Sequence, residues 1–267
     1  MFLKLLPYPI RTVSSQLSLV ADSTNSGIIY PMRTPLVIAH RGDSSRALEN
    51  SLEAFRLALA VHADMIEFDL RMSKDGALYV MHDRHTGRTA DRNIDIEQAT
   101  SRELADLRLK NGEPIPTLDD ALRLIAGRAG INIEIKSDGA AAALGRHLFL
   151  YRYSGYLMVS SFKEAEVLAA RGVMLDLPLA VIYDTFSTRH LAAYKSKGFP
   201  VISLRKNTVT EHLARACRAQ GVQIYVWTVN DEEEMKRCVA WELDGIYTNK
   251  PAELRKVISR FQIKSAK

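Results

Sequence analysis

Residues 64–83 read DMIEFDLRMSKDGALYVMHD and carry the first strong indication of the fold. It begins with a short apolar run carrying two acids, a pattern typical of a buried strand. Asp75-Gly76 is a strong hairpin signal, and a second apolar run ending at His82 predicts a return strand. A turn centred on Lys74-Asp75 would place His82 opposite Glu67. The return strand is therefore expected to pair locally, as a β-hairpin outside the main sheet.

The rest of the chain from residue 36 alternates short apolar runs with amphipathic helical stretches. Strands that alternate with helices require a parallel sheet. Eight such strands in one domain favour a closed (β/α)8 TIM barrel of the α/β class over an open doubly wound sheet, and no Gly-rich phosphate loop supports the open sheet. The predicted barrel strands are 36–40, 64–70, 131–135, 156–160, 179–183, 201–204, 223–228 and 244–248.

The chain has 267 residues, enough for one barrel domain of roughly 250 residues. We expect residues 1–34 to be an irregular N-terminal extension and residues 35–267 to be the barrel, with only a short insertion after the second strand. No apolar run approaches the ~18 residues of a membrane span, so no transmembrane segment is expected. We expect a cytoplasmic protein, with a cleaved targeting segment as the alternative.

The formal net charge of +5 suits an anionic small-molecule substrate. The basic residues are scattered, and no basic groove with interleaved aromatic residues is visible, so a nucleic-acid partner is not expected. Cys217 and Cys238 lack a metal-binding or redox spacing. They are predicted to be buried thiols.

Acidic residues occur where the predicted strands reach the catalytic end of a barrel, the C-terminal end. Glu67 and Asp69 share one face of their strand because they are two residues apart. Glu134 lies on the next barrel strand, just before Lys136. Three carboxylates provide the oxygen ligands that suit Mg²⁺ or Ca²⁺. The alternative is that Glu67 and Asp69 form structural salt bridges with Arg41, Arg71 or Lys136.

Two histidines end strands beside these acids. His40 ends the first strand and is followed by Arg41, and His82 ends the return strand. Cleavage of a phosphate ester needs neutralised phosphoryl oxygens and proton transfer. A divalent cation with Arg41 and Lys136 can neutralise the phosphate, and two histidines can transfer protons near neutral pH.

Several motifs in order resemble the glycerophosphodiester phosphodiesterase family, and the resemblance covers about residues 36–260. The motifs are HRG at 40–42, ENS at 49–51, EFDLRMSKDG at 67–76, VMHD at 80–83, IPTLDDAL at 115–122, NIEIK at 132–136, SSF at 160–162, WTVN at 227–230 and DGIYTNKP at 244–251. One such motif would be weak evidence, but their order along the chain is specific.

The resemblance implies a TIM barrel that hydrolyses a phosphodiester to an alcohol and a phosphomonoester with Mg²⁺ or Ca²⁺. It also implies a set of site residues. These are Glu67, Asp69 and Glu134 as metal ligands, His40 and His82 as general acid and base, Arg41 and Lys136 as phosphate-binding residues, Glu49 as a further polar residue of the site, and Phe162 and Trp227 as walls of the substrate pocket. For Phe162 and Trp227, plain core packing is the alternative.

The chain departs from the family pattern in two places. Residues 84–89 read RHTGRT where the family usually has a leucine and then Arg-Thr-Thr, and Asn249 stands where the family commonly has Asp. We expect both differences to lie outside the catalytic set and to reshape the pocket. A sugar phosphodiester or a lysophospholipid is therefore an alternative substrate, and a non-catalytic barrel that binds sugar phosphates is the alternative function.

Overall fold

The computed structural model describes residues 33–151, 155–174 and 177–265. Its nine strands are β1 (Leu36–His40), β2 (Met65–Met72), β3 (Leu78–Val80), β4 (Gly130–Ile135), β5 (Leu157–Ser161), β6 (Leu179–Tyr183), β7 (Val201–Arg205), β8 (Gln223–Trp227) and β9 (Gly245–Thr248). All except β3 pair in parallel with their neighbours, and β1 pairs with both β2 and β9. The sheet is thus a closed eight-stranded barrel, and the predicted TIM barrel is confirmed. The predicted extension lies outside the described residues up to position 32.

Helices connect successive strands around the barrel. They are α1 (Leu52–Ala60), α2 (Ser101–Leu104), α3 (Leu118–Ile125), α4 (Ala140–Tyr151), α5 (Glu164–Val173), α6 (Leu191–Ser196), α7 (Glu211–Ala219), α8 (Glu232–Ala240) and α9 (Pro251–Ser265). Thr117 caps α3, because its side chain accepts from the Asp120 backbone N–H while the Asp120 carboxylate accepts from the Thr117 backbone N–H. Within the described ranges, no helix has the length and apolar character needed to cross a membrane.

The side chains of β2 alternate between the two faces of the barrel wall. Ile66, Phe68 and Leu70 pack in the apolar layer between strands and helices. Glu67 and Asp69 therefore face the barrel interior.

Apolar side chains fill the barrel interior below this polar level. This inner cluster consists of Ile38, Met65, Met158, Ala180, Val201, Tyr225 and Tyr247. The barrel is therefore a packed core closed beneath the site.

The hairpin between β2 and β3 has a three-residue loop. The Ser73 backbone N–H donates to the Ala77 carbonyl at 2.8 Å, which leaves Lys74, Asp75 and Gly76 in the loop. Gly76 has a φ of +86°, a conformation that glycine adopts without strain. A left-handed residue after a tight turn is the usual construction of a three-residue hairpin loop.

The extra loop residue shifts the hairpin register by one. Leu70 pairs with Val80, so the prediction that His82 lies opposite Glu67 is wrong. The charge that favours protonation of His82 comes from Asp69. The histidine still reaches the acidic group, through a different carboxylate.

The segment between β3 and α3 forms a short insertion with its own small core. This insertion core consists of Tyr79, Met81, Ala90, Ile96, Ala99, Leu104, Leu107, Leu109 and Ile115. Elsewhere, Cys217 and Cys238 are buried and unbonded, so the prediction of buried thiols is confirmed.

Candidate active site

The loop after β1 brings a backbone donor to the acidic group. Arg41 and Gly42 have φ values of +58° and +83°, which turns the chain sharply after His40. A Cβ on Gly42 would lie 2.7 Å from Ala54, so the loop packs directly on α1. The Arg41 backbone N–H consequently donates to Glu67 Oε2 at 2.8 Å.

Three buried carboxylates meet at the C-terminal rim of the barrel. Asp69 and Glu134 are register partners on β2 and β4, and Glu67 lies one inward position below Asp69. One oxygen from each of the three lies within 4.8 Å of the others. Oxygens bound to one ion can be about 4 Å apart for Mg²⁺ and about 5 Å apart for Ca²⁺. Glu67 Oε1 is buried without a hydrogen-bond partner, so these acids fit a single divalent cation.

Two basic side chains also contact this acidic group. Arg41 Nε lies 3.1 Å from Asp69 Oδ2, and Lys136 Nζ lies 3.1 Å from Asp69 Oδ1. Arg71 takes no part, because it pairs with Glu97 at 2.8 Å. Lys136 also pairs with Glu134 Oε1. The salt-bridge alternative therefore describes Asp69, but within the described part of the chain no basic side chain forms a salt bridge with Glu67. Three carboxylates face two cations.

Burial and mutual repulsion raise the pKa values of two of the acids in the absence of a cation. Burial, together with the charge of Asp69, raises the pKa of Glu134 to about 7 and that of Glu67 well above its ordinary value. Although burial alone would raise the pKa of Asp69, the charges of Lys136 and Arg41 hold it well below the ordinary value. Asp69 is thus the permanently ionised member.

Asn50 orients this ionised carboxylate. Its side-chain Nδ2 donates to Asp69 Oδ2 at 2.8 Å, and both residues are buried. Asn50 adopts a φ of +57° to reach this position. No role was predicted for Asn50, although it lies in the ENS motif beside Glu49.

His40 lies at the end of β1, where Asn249 approaches it from the end of β9. His40 Nδ1 is 2.7 Å from Asn249 Oδ1. Burial and the neighbouring charge of Arg41 lower the pKa of His40 to about 4. The imidazole is therefore neutral near neutral pH, with one ring nitrogen occupied by the amide.

His82 lies on the insertion side of the rim and has a carboxylate partner. Its Nδ1 is 2.7 Å from Asp83 Oδ1, and its side chain is 33% exposed, so solvent or substrate can reach it. Burial lowers the pKa of His82, and the charge of Asp69 opposes this effect. The two histidines thus have chemically different partners.

The expectation that both family departures lie outside the catalytic set is wrong for Asn249, which contacts His40, and Arg88 reaches the site through two carboxylates. Arg88 Nε lies 2.5 Å from Asp83 Oδ2, and its terminal nitrogens donate to Glu49 at 2.7 and 2.9 Å. Glu49 in turn accepts from Arg41 at 2.8 Å. Arg88 therefore joins Asp83, the partner of His82, to Glu49, the partner of Arg41, while Asn249 contacts His40 directly.

An aromatic pair forms the opposite wall of the rim. The rings of Phe162 and Trp227 meet edge to face, with centroids 5.5 Å apart. Lys136 Nζ lies 5.6 Å from the Phe162 centroid, and the Arg205 guanidinium lies 5.7 Å from that of Trp227. Phe162 is 43% exposed, which does not fit the core-packing alternative for this residue. On the insertion side, a cavity of about 730 Å³ opens beside His82 and Lys136.

The barrel and its rim of acids, histidines and basic side chains fit a phosphoric diester hydrolase. The family model of the glycerophosphoryl diester phosphodiesterase family matches residues 40–253. The chain belongs to this family, as the sequence motifs indicated.

Individual relatives agree with the family model. A glycerophosphodiester phosphodiesterase of Caldanaerobacter subterraneus is 31% identical over 240 residues, covering 84% of this chain and 98% of the relative. Lysophospholipase D GDPD1 of Homo sapiens is 24% identical, covering 84% and 86%. An Oleispira antarctica phosphodiesterase, solved in complex with the product sn-glycerol-3-phosphate, has a TM-score of 0.79 at 24% identity, covering 85% of this chain and 97% of that one.

Proposed function

We propose that this protein hydrolyses glycerophosphodiesters to a phosphomonoester and an alcohol, with a divalent cation and two proton-transferring histidines. The observation that carries the proposal is the group of three buried carboxylates within 4.8 Å of one another at the catalytic end of the barrel. Glu67, Asp69 and Glu134 would hold Mg²⁺ or Ca²⁺. When bound, such an ion neutralises charge on the phosphoryl oxygens.

Arg41 and Lys136 would bind the phosphate of the substrate. Both side chains are largely buried, and both already contact Asp69. Because Arg41 is also held by Glu49, its guanidinium is oriented before the substrate arrives. Binding at a pre-organised, poorly solvated cationic site strengthens the interaction with a phosphate anion.

His40 and His82 would transfer the protons. One accepts a proton from the attacking oxygen while the other gives a proton to the departing alkoxide oxygen, so that the phosphorus–oxygen bond breaks with an alcohol as the product. The attacking oxygen belongs either to water or to a neighbouring hydroxyl of the substrate. The second route passes through a cyclic phosphate, which ³¹P NMR detects during turnover.

Phe162 and Trp227 would contact the alcohol portion of the diester. The exposed ring of Phe162 and the partly buried ring of Trp227 lie beside two basic groups, which suits a small polar headgroup and also a hydrocarbon chain. The product in the Oleispira antarctica complex supports a glycerol-containing substrate. The name of the human relative supports lysophospholipid as the second candidate, and a sugar phosphodiester is the third.

A panel assay tests the proposal. Purified full-length protein is incubated with glycerophosphocholine, glycerophosphoethanolamine, a lysophospholipid and a sugar phosphodiester, and phosphomonoester release is followed by ³¹P NMR. We expect hydrolysis of the glycerophosphodiesters, loss of activity in EDTA, and recovery with Mg²⁺ or Ca²⁺. Hydrolysis that persists unchanged in EDTA contradicts the cation assignment. Faster turnover of the lysophospholipid or of the sugar phosphodiester would replace the proposed substrate.

Two variants test the histidines. His40→Ala and His82→Ala should each lower the rate by on the order of 10²–10⁴, the usual contribution of an acid or base. His212→Ala is the matched control, because His212 is exposed on α7. Wild-type rates in both site variants would end the assignment of these residues.

A further inference from the structure

A hydrogen bond between His40, which ends β1, and Asn249, which follows β9, determines which ring nitrogen of His40 carries the hydrogen. Asn249 Oδ1 lies 2.7 Å from His40 Nδ1. An amide oxygen can only accept a hydrogen bond, so the hydrogen in this contact belongs to Nδ1. In a neutral imidazole the other nitrogen, Nε2, then carries the free lone pair.

Asn249 is itself held in place from several directions. Its backbone N–H donates to Asn230 Oδ1 at 2.8 Å, and Thr248 Oγ1 donates to the same oxygen at 3.2 Å. Its carbonyl accepts from the Ser45 backbone N–H at 3.0 Å, in the loop that follows His40. The amide therefore stands on a rigid strand end that is tied to the histidine loop.

The amide differs chemically from the partner of the second histidine. Asp83 offers His82 a carboxylate, which accepts a hydrogen bond and also stabilises an imidazolium by its charge. Asn249 orients the His40 ring without adding a negative charge beside it. Among the described residues, the charged groups that act on His40 are Arg41 from its own loop, Asp69 from β2, and Glu49.

We propose that Asn249 is a positioning residue that holds His40 as the Nδ1–H tautomer, so that Nε2 receives the proton in the reaction. The inference rests on the proposed function, in which His40 transfers a proton. It also assigns His40 as the proton acceptor, because a neutral imidazole held in this tautomer has a free lone pair on Nε2. His82, with its carboxylate partner, then supplies the proton to the leaving oxygen.

The tautomer can be measured without any substrate. The full chain with ¹⁵N-labelled histidine is examined by long-range ¹H–¹⁵N correlation NMR near neutral pH, and the His40 signals are assigned by their loss in His40→Ala. We expect a protonated Nδ1 and an unprotonated Nε2 in the wild type and in Asn249→Asp, since a carboxylate also accepts from Nδ1–H. In Asn249→Ala the hydrogen should redistribute towards Nε2.

The kinetic readout separates positioning from folding. Asn249→Ala should lower kcat by about 10–100-fold with little change in KM, while Asn249→Asp should recover most of the loss. Gln223→Ala is the matched control, because it removes an exposed amide at the opposite end of the barrel. A general loss of fold would depress both Asn249 variants alike and would lower their melting temperatures in parallel with their rates.

The outcomes of these experiments separate the positioning role of Asn249 from the proposed function. A wild-type His40 with its hydrogen on Nε2, or an Asn249→Ala variant with unchanged tautomer and unchanged kcat, overturns the positioning role. A wild-type protein that shows the Nδ1–H tautomer but hydrolyses no diester supports the role of the hydrogen bond and overturns the proposed function.

Discussion

Binding of a divalent cation should release protons below neutral pH. Glu134, with its pKa raised to about 7, is protonated in the metal-free protein at pH 5.5 and must ionise to act as a ligand. One pKa unit corresponds to about 1.4 kcal/mol, so ionising Glu134 at a pH roughly 1.5 units below its pKa costs about 2 kcal/mol. The apparent affinity should therefore be about 30-fold weaker at pH 5.5 than at pH 8. Glu67, whose pKa is also raised, further weakens the cation affinity at pH 5.5.

Cation affinity reports on these glutamates more directly than stability does. A raised folded-state pKa makes Glu134 stabilising below its unfolded value of 4.5, and this contribution is lost as pH rises through about 7. His40 has the opposite sign, because its lowered pKa of about 4 makes stability rise with pH up to its unfolded value of 6.5. The two effects overlap and largely cancel. His40 is already neutral at pH 5.5, so it releases no proton when a cation binds.

Isothermal titration calorimetry measures the proton release. Ca²⁺ or Mg²⁺ is titrated into EDTA-stripped protein at pH 5.5 and pH 8 in two buffers of different ionisation enthalpy. We expect about one or more protons released per ion at pH 5.5 and a smaller number at pH 8. Glu134→Gln should bind more weakly and release fewer protons at pH 5.5. An affinity that is independent of pH, with the same heat in both buffers, would show that Glu134 is already ionised in the metal-free protein at pH 5.5.

Two further changes test the supports of the site. Gly42→Ala should lower the free energy of unfolding by about 2–4 kcal/mol in urea, because the added Cβ meets α1 at 2.7 Å, whereas Gly76→Ala points into open space and should cost about 1 kcal/mol. Equal losses would contradict the packing explanation. Arg88→Ala should lower kcat roughly tenfold or more by releasing Asp83, the partner of His82, with less than about 1 kcal/mol lost in stability. An unchanged kcat would show that the contact does not orient the histidine.

The regular parts of the fold were predictable because they repeat. Strand and helix periodicity predicted the barrel, and the two-residue spacing of Glu67 and Asp69 predicted their common face. The hairpin register was not predictable from Asp-Gly alone, because that dipeptide also fits a three-residue loop with Gly76 in the left-handed conformation. A single loop residue decided which carboxylate neighbours His82.

The contacts around the two histidines were harder to predict, because barrel closure creates them. His40 and Asn249 are 209 residues apart in the sequence and meet only when β9 pairs with β1. The order of the barrel strands could have suggested this contact, because His40 ends β1 and Asn249 follows β9, its neighbour in the closed barrel. The role of Arg88 depends on the irregular insertion, for which no periodic pattern exists.

The three rim acids are proposed to hold one divalent cation. Crystals of the protein grown with Ca²⁺, measured at a wavelength where calcium scatters anomalously, test this assignment. We expect one anomalous peak at about 2.3–2.6 Å from an oxygen of each of Glu67, Asp69 and Glu134. A structure at saturating Ca²⁺ with no peak among these oxygens, in which only Lys136 and Arg41 neutralise the acids, would contradict the cation assignment.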